Sequence, residues 1–121
     1  MALVLIIDDE EAVRDILRQA LELEGHQVEE ARNGQEGLQR YRAGPTDLVV
    51  TDILMPEKSG LEIIEELRHD FPTAKIIALT GSGQEFIHRA KQLGAHRGYE
   101  KPIHLREFLA AVQELVQNEV T

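Results

Sequence analysis

Two kinds of hydrophobic pattern take turns along this chain. Leu3 to Ile7 and Ala74 to Leu79 are short apolar runs, and Asp47 to Thr51 is built around a third, Leu48 to Val50; all are rich in aliphatic residues and lead into polar ones. Runs of that length and composition predict strands buried on both faces. The stretches between them repeat apolar residues at helical spacing instead. From Glu11 to Glu24 the stripe is Val13, Ile16, Leu17, Ala20 and Leu21, with Gly25 where a C-terminal cap belongs. Ser59-Gly60 opens a helix with an inner face of Leu61, Ile64 and Leu67, ended by Asp70-Phe71-Pro72. A further helix carries Phe86, Ile87, Ala90 and Leu93 before Gly94, and the last shows Leu105, Phe108, Leu109, Val112 and Val116. Two strands have weaker patterns. His26 to Ala31 has Val28 among polar neighbours and suits an edge, followed by the Asn33-Gly34 turn and a short helix ending near Arg42; His96 to Tyr99 is the last strand.

Strand and helix therefore alternate five times, without internal repeat, linker or low-complexity tract. That alternation predicts an α/β fold: one doubly wound, five-stranded parallel sheet with right-handed crossovers and helices on both faces. Five strands fit the flavodoxin-like order 2-1-3-4-5, which puts the weak second strand at an edge. In such sheets ligands bind in the crevice outside the carboxyl ends of the strands.

Composition narrows the class. The 121 residues suit one domain, residues 1–121, with 42% hydrophobic and 29% charged residues. No apolar run approaches the ~20 residues of a membrane span, and the first residues lack a basic start and a cleavage site, so a cytoplasmic protein that binds no membrane is expected. Cysteine is absent, which excludes disulfides and thiolate ligands. A formal charge of −9 disfavours nucleic acid and favours cations or basic partners.

With all strands pointing one way, Asp8 and Asp9 after the first, Asp52 after the third, Thr80 after the fourth and Lys101 after the fifth converge on one edge. Clustered carboxylates repel unless some stay protonated or a hard cation binds among them. An all-oxygen, partly open site suits Mg²⁺ better than a caged Ca²⁺. A carboxylate nucleophile, Mg²⁺, an ammonium and a hydroxyl together meet the needs of phosphoryl transfer, so the expected chemistry is formation of an aspartyl phosphate.

The pieces I-I-D-D-E, D-I-L-M-P-E-K-S-G-L-E, A-L-T-G and E-K-P-I, in this order and spacing, make the chain resemble bacterial two-component response-regulator receiver domains over essentially its whole length. The resemblance implies that Asp52 is the phosphoacceptor. It further implies that Asp9 binds Mg²⁺ directly, Asp8 does so through water, and the backbone carbonyl of Leu54 completes the protein's share of the metal sphere. Thr80 is expected to bond a phosphoryl oxygen and Lys101 to pair with the phosphoryl group, while Gly81 keeps access open. The implied donor is a phosphohistidine on a sensor histidine kinase or phosphotransfer protein, and the output is switched binding to a partner protein or effector. The chain is then a signalling phosphoacceptor that catalyses only its own phosphorylation and dephosphorylation. The resemblance also implies a cis Lys101-Pro102 bond.

Plainer roles exist for each residue. Asp8 or Asp9 can cap the first helix, Asp52 can be a turn residue before a loop, Thr80 can cap the fourth helix, and Lys101 can be an edge-strand lysine. Neither a nucleotide cradle at Gly81 and Gly83 nor a metal role for the five histidines has support in the spacing. A phosphatase of the haloacid-dehalogenase type would want a second aspartate where Glu10 stands. An unphosphorylated receiver-like module would lack one of the key residues, and none is missing. The last helical pattern reaches nearly to the end of the chain, so no effector segment is expected within it. One departure from the family is clear: its usual aromatic, three places before the lysine, is replaced by Gly98, with Tyr99 one place later. A one-residue offset sends the ring to the other face unless the strand bulges. The output change is therefore expected to rely on the Thr80-to-Ser82 loop and the Gly83-to-Leu93 helix.

Overall fold

The computed structural model describes residues 1–117. Five strands, β1 (Leu3–Ile7), β2 (Gln27–Ala31), β3 (Leu48–Asp52), β4 (Ile76–Thr80) and β5 (Arg97–Glu100), alternate with helices α1 (Glu11–Leu23), α2 (Gly34–Ala43), α3 (Gly60–Asp70), α4 (Gln84–Leu93) and α5 (Leu105–Gln117). All strand pairings are parallel, in the order β2-β1-β3-β4-β5. The expected fold class and strand order are what the chain adopts. The end of the last helical pattern, after Gln117, lies outside the described residues.

Successive strand residues point to opposite faces, so each apolar run feeds two cores. Leu5, Ile7, Val49, Ile76 and Ala78 pack with Ile63, Ile64 and Leu67 of α3, Leu38 of α2 and Ala90 of α4. Val4, Ile6, Leu48, Val50, Ile77 and Leu79 pack instead with Leu17 and Leu21 of α1 and Phe108 and Val112 of α5. β3 and β4 are buried at every position, whereas the edge strand β2 is buried only at Ala31. These central strands form the rigid floor on which the carboxyl-end residues stand.

The helical stripes differ from expectation at their margins. Ile16 is 55% exposed, because it sits on the flank of α1 above a groove of about 230 Å³ that it shares with Val13, Pro102 and Ile103. In α3 Ile63 is fully buried and Leu61 only partly, since the helix turns its Ile63–Ile64 edge toward the sheet. In α5 Ala111 and Leu115 are buried where Val116 is half-buried, again a rotation of the stripe by part of a turn.

The amino-terminal edge of the sheet is closed by matched polar contacts. The Arg68 guanidinium donates to the carbonyls of Pro72, Ala74 and Gly94 at 2.5, 2.8 and 2.8 Å, tying α3, the entry to β4 and the exit of α4 together. The Leu3 amide donates to Asp47 Oδ2 at 2.8 Å and the Ala2 amide to His26 Nδ1 at 3.1 Å. The Lys75 ammonium donates to the Leu115 carbonyl at 2.6 Å.

Candidate functional site

Parallel register delivers the polar residues to one place. Ile7 is paired with Thr51 and Asp52 with Leu79, so Asp8 follows β1 beside the residue that ends β3, and Thr80 stands one step beyond Asp52's partner. The Lys101 amide donates to the Thr80 carbonyl at 2.8 Å, which hooks the end of β5 to the end of β4. Asp8 and Thr80 are fully buried and Asp52 is 4% exposed, while Asp9 and Glu10 are open to solvent. Carboxylate oxygens of Asp8, Asp9, Glu10 and Asp52 all lie within 4.8 Å of one another.

Asp8 is held on three sides. Its amide donates to the Ala31 carbonyl at 3.1 Å, its carbonyl accepts from Arg14 at 2.7 Å, and its Oδ1 accepts from the Glu10 amide at 2.9 Å. Arg14 is in turn held by Glu30 Oε1 at 3.0 Å. The other oxygen, Asp8 Oδ2, is buried without a hydrogen bond; the Lys101 ammonium is 3.0 Å away, an ion-pair contact lacking hydrogen-bond alignment. Lys101 donates instead to Glu10 Oε1 at 2.7 Å and stays 3.6 Å from Asp52 Oδ2.

Electrostatics follow from this crowding. Burial pushes the Asp52 carboxyl up to about 7, reinforced by the Asp8 charge and opposed by Lys101. Asp8 is also raised, by burial in excess of its hydrogen bond from the Glu10 amide. For Lys101, burial works against the charge, but the Glu10 and Asp8 carboxylates outweigh it and the ammonium is held above its usual range. A buried carboxylate oxygen without a hydrogen bond, amid further carboxylates and no nitrogen or sulfur donor, fits a hard divalent cation.

The loop after β3 is fixed by backbone proximity. The Gly60 amide donates to the Ile53 carbonyl at 2.7 Å, and a Cβ on Gly60 would lie 2.1 Å from the Asp52 carbonyl oxygen. Ser59 caps α3 by accepting from the Glu62 amide. Between them Glu57 takes the left-handed conformation, φ 68°, a strained backbone for a side chain of that kind. Leu54 stands in this loop, 44% exposed, two residues beyond Asp52.

The capping alternatives do not match the geometry. The N-cap of α1 is Glu10 and that of α4 is Gly83, neither with a side-chain cap bond; Thr80 Oγ1 accepts from the Ser82 amide at 3.1 Å. Lys101-Pro102 is cis. Gly98 is opposite Ala78 and Tyr99 opposite Leu79 in continuous register, so β5 has no bulge there. Tyr99 packs on the α1–α5 side, and a Cβ on Gly98 would come 2.5 Å from Cγ2 of Ile87: an α4 side chain fills the space above this glycine.

Two participants escaped sequence reasoning. Glu10 joins the carboxylates and takes the lysine, and Arg14 secures the Asp8 main chain. The acidic run after β1 signalled the first; nothing local signalled the second, whose partner Glu30 comes from β2.

Comparison with known proteins points to one family. The family model for the response regulator receiver domain matches residues 4–113. The chain is 35% identical over 114 residues to the chemotaxis protein CheY of Halobacterium salinarum, covering 93% of this chain and 95% of that one. It is 34% identical to the sensor kinase CckA of Brucella abortus, covering 98% of this chain and 13% of the kinase. Against the alkaline phosphatase synthesis regulator PhoP of Bacillus subtilis it is 32% identical, covering 94% of this chain and 48% of that protein. The chain thus spans nearly all of the first of these relatives and under half of the other two. Among solved structures, a CheY-like receiver domain from Methanospirillum hungatei JF-1 superimposes with a TM-score of 0.90 at 31% identity, covering 97% of this chain and 94% of that one.

Proposed function

The chain belongs to the response regulator receiver domain family, whose role is phosphorylation-dependent two-component signalling, and we propose that Asp52 is its phosphoacceptor. The observation that carries this reading is the placement of Asp52: buried at the end of β3, among the Asp8, Asp9 and Glu10 carboxylates and 3.6 Å from the Lys101 ammonium. Asp8, Asp9 and Asp52, with the Leu54 carbonyl, are the groups that would hold Mg²⁺. When bound, the cation offsets the mutual repulsion of the carboxylates and the charge on the phosphoryl oxygens.

The donor is a phosphohistidine on a sensor histidine kinase or phosphotransfer protein. An Asp52 oxygen bonds to phosphorus as the P–N bond breaks, and the electron pair leaves with the imidazole nitrogen. Lys101 then balances the added charge and Thr80 donates to a phosphoryl oxygen. The chain catalyses only this transfer and the later hydrolysis. Residues 1–121 work as a single receiver in the cytoplasm; among the described residues no helix is long and apolar enough to cross a membrane. Output is switched binding to a protein partner or effector. The test is intact mass after incubation with Mg²⁺ and acetyl phosphate. The wild type gains one phosphate; an adduct that persists in Asp52→Asn overturns the assignment.

Signal transmission runs through the Thr80–Ser82 loop and α4, because Ile87 occupies the space over Gly98 and Tyr99 is packed on the opposite face. Tyr99→Phe and Tyr99→Ala should therefore keep phosphorylation-dependent partner binding. Loss of that binding with intact phosphorylation would assign the switch to the ring.

A further inference from the structure

The Lys101 ammonium has a choice of three carboxylates and does not take the one expected to react. Its hydrogen bond goes to Glu10 Oε1 at 2.7 Å, its ion-pair contact to Asp8 Oδ2 at 3.0 Å, and Asp52 Oδ2 at 3.6 Å is beyond hydrogen-bond reach. Glu10 is well placed to win. Its own amide is tied to Asp8 Oδ1, which fixes the main chain at the start of α1. Its side chain is 59% exposed and reaches over the rim to the lysine, while Asp52 is deep in the protein. Lys101 is itself 16% exposed and anchored through its amide to Thr80, and its ammonium stands between the Glu10 carboxylate at the rim and Asp8 and Asp52 on the floor.

From this geometry we infer that Glu10 is a positioning residue: it holds the Lys101 ammonium off Asp52 until the phosphoryl group arrives. An ammonium bonded to Asp52 would draw charge from the carboxylate and weaken it as a nucleophile. Parked on Glu10, Lys101 is close enough to be drawn in by the phosphoryl oxygens, which carry nearly two negative charges. Glu10 is then freed as an exposed carboxylate at the mouth of the site. The inference rests on the reading of Asp52 as phosphoacceptor for its meaning, but the geometry it asserts exists before any phosphodonor is present.

The experiment is NMR of the Lys101 side chain, Nζ and Cε, in the labelled, metal-free full chain at pH 8, where Asp52 is ionised, with the signals assigned through Lys101→Arg. Glu10→Gln should move both signals further than Asp52→Asn does, and the Glu10→Gln, Asp52→Asn double variant should resemble Glu10→Gln alone. Greater movement in Asp52→Asn, or unmoved signals in Glu10→Gln, would overturn the inference. Because Glu10 is exposed the variant keeps the fold, and unchanged backbone amide shifts in β1, β3 and β4 verify that. A merely structural glutamate would not move the lysine signals selectively. Failure here leaves the Asp52 assignment standing, since that depends on the phosphate adduct.

Discussion

The two ends of the parallel sheet satisfy their polar groups in opposite ways. At the amino-terminal edge, one guanidinium meets three carbonyls, and Asp47, His26 and Lys75 each find a backbone partner. At the carboxyl edge, four carboxylates gather around one ammonium, Asp8 Oδ2 is buried without a hydrogen bond, and Asp52 is pushed toward neutrality. Unmet hydrogen-bonding capacity and unbalanced charge both cost stability. The same sheet therefore spends stability at one end and secures it at the other, and the frustrated end is where a ligand has most to offer.

Three substitutions test that contrast. The largest effect is expected from Gly60→Ala, which places a methyl 2.1 Å from the Asp52 carbonyl oxygen and cannot be relieved by a side-chain rotation. It should cost more than about 3 kcal/mol in chemical denaturation, as expected of overpacking against backbone, and abolish the phosphate adduct. Retained stability and adduct would show that the carboxyl-edge loop is not held by this contact.

Asp52→Asn should do the reverse and stabilise the metal-free protein, by roughly 3 kcal/mol at pH 8. The sign follows from the raised carboxyl. The folded state holds a proton on Asp52 up to about pH 7, whereas the unfolded chain releases it near 3.8. The wild type's favourable contribution is complete below the unfolded value and is lost as pH rises through about 7. Denaturation at pH 5 and pH 8 should therefore show the variant's advantage shrinking to less than half at the lower pH, and an advantage independent of pH would refute the charge argument. Saturating Mg²⁺ should narrow the same gap by stabilising the wild type more than the variant.

Arg68→Ala is the complementary change at the satisfied end. Leaving three carbonyls without their donor should cost about 2 kcal/mol, moderated by water where the groups are exposed. Phosphate uptake should be unaffected, because the residue stands at the other end of the strands. A loss of adduct in this variant would mean that the two edges are coupled.

The fold was legible because its signals are periodic. β1, β3 and β4 are built on apolar runs, four helices carry a stripe and the Asn33-Gly34 turn marks the remaining one, so element type follows from local pattern and the strand order from five alternating units with a weak second strand. The convergence of Asp8, Asp9, Asp52, Thr80 and Lys101 followed from topology alone, since parallel strands deliver their last residues to one edge. What stayed hidden depends on distances between elements. No local pattern says that Lys101 prefers Glu10 to Asp52, that Arg14 reaches back to the Asp8 carbonyl, or that Ile87 covers Gly98. The exposure of Ile16 was equally out of reach, because a helical stripe gives direction but not the width of the surface that covers it.

The bond between the Gly60 amide and the Ile53 carbonyl closes the chain after Asp52 into a ring of fixed circumference. A ring cannot lengthen without opening. Single-residue insertions scanned along the gene should be rejected between Ile53 and Gly60, even at exposed Leu54, Pro56 and Glu57. The equally exposed turn around Gly44, where nothing lies within 4 Å of the added carbon, should accept them. Length, more than residue identity, is what that ring holds constant in the segment that follows Asp52.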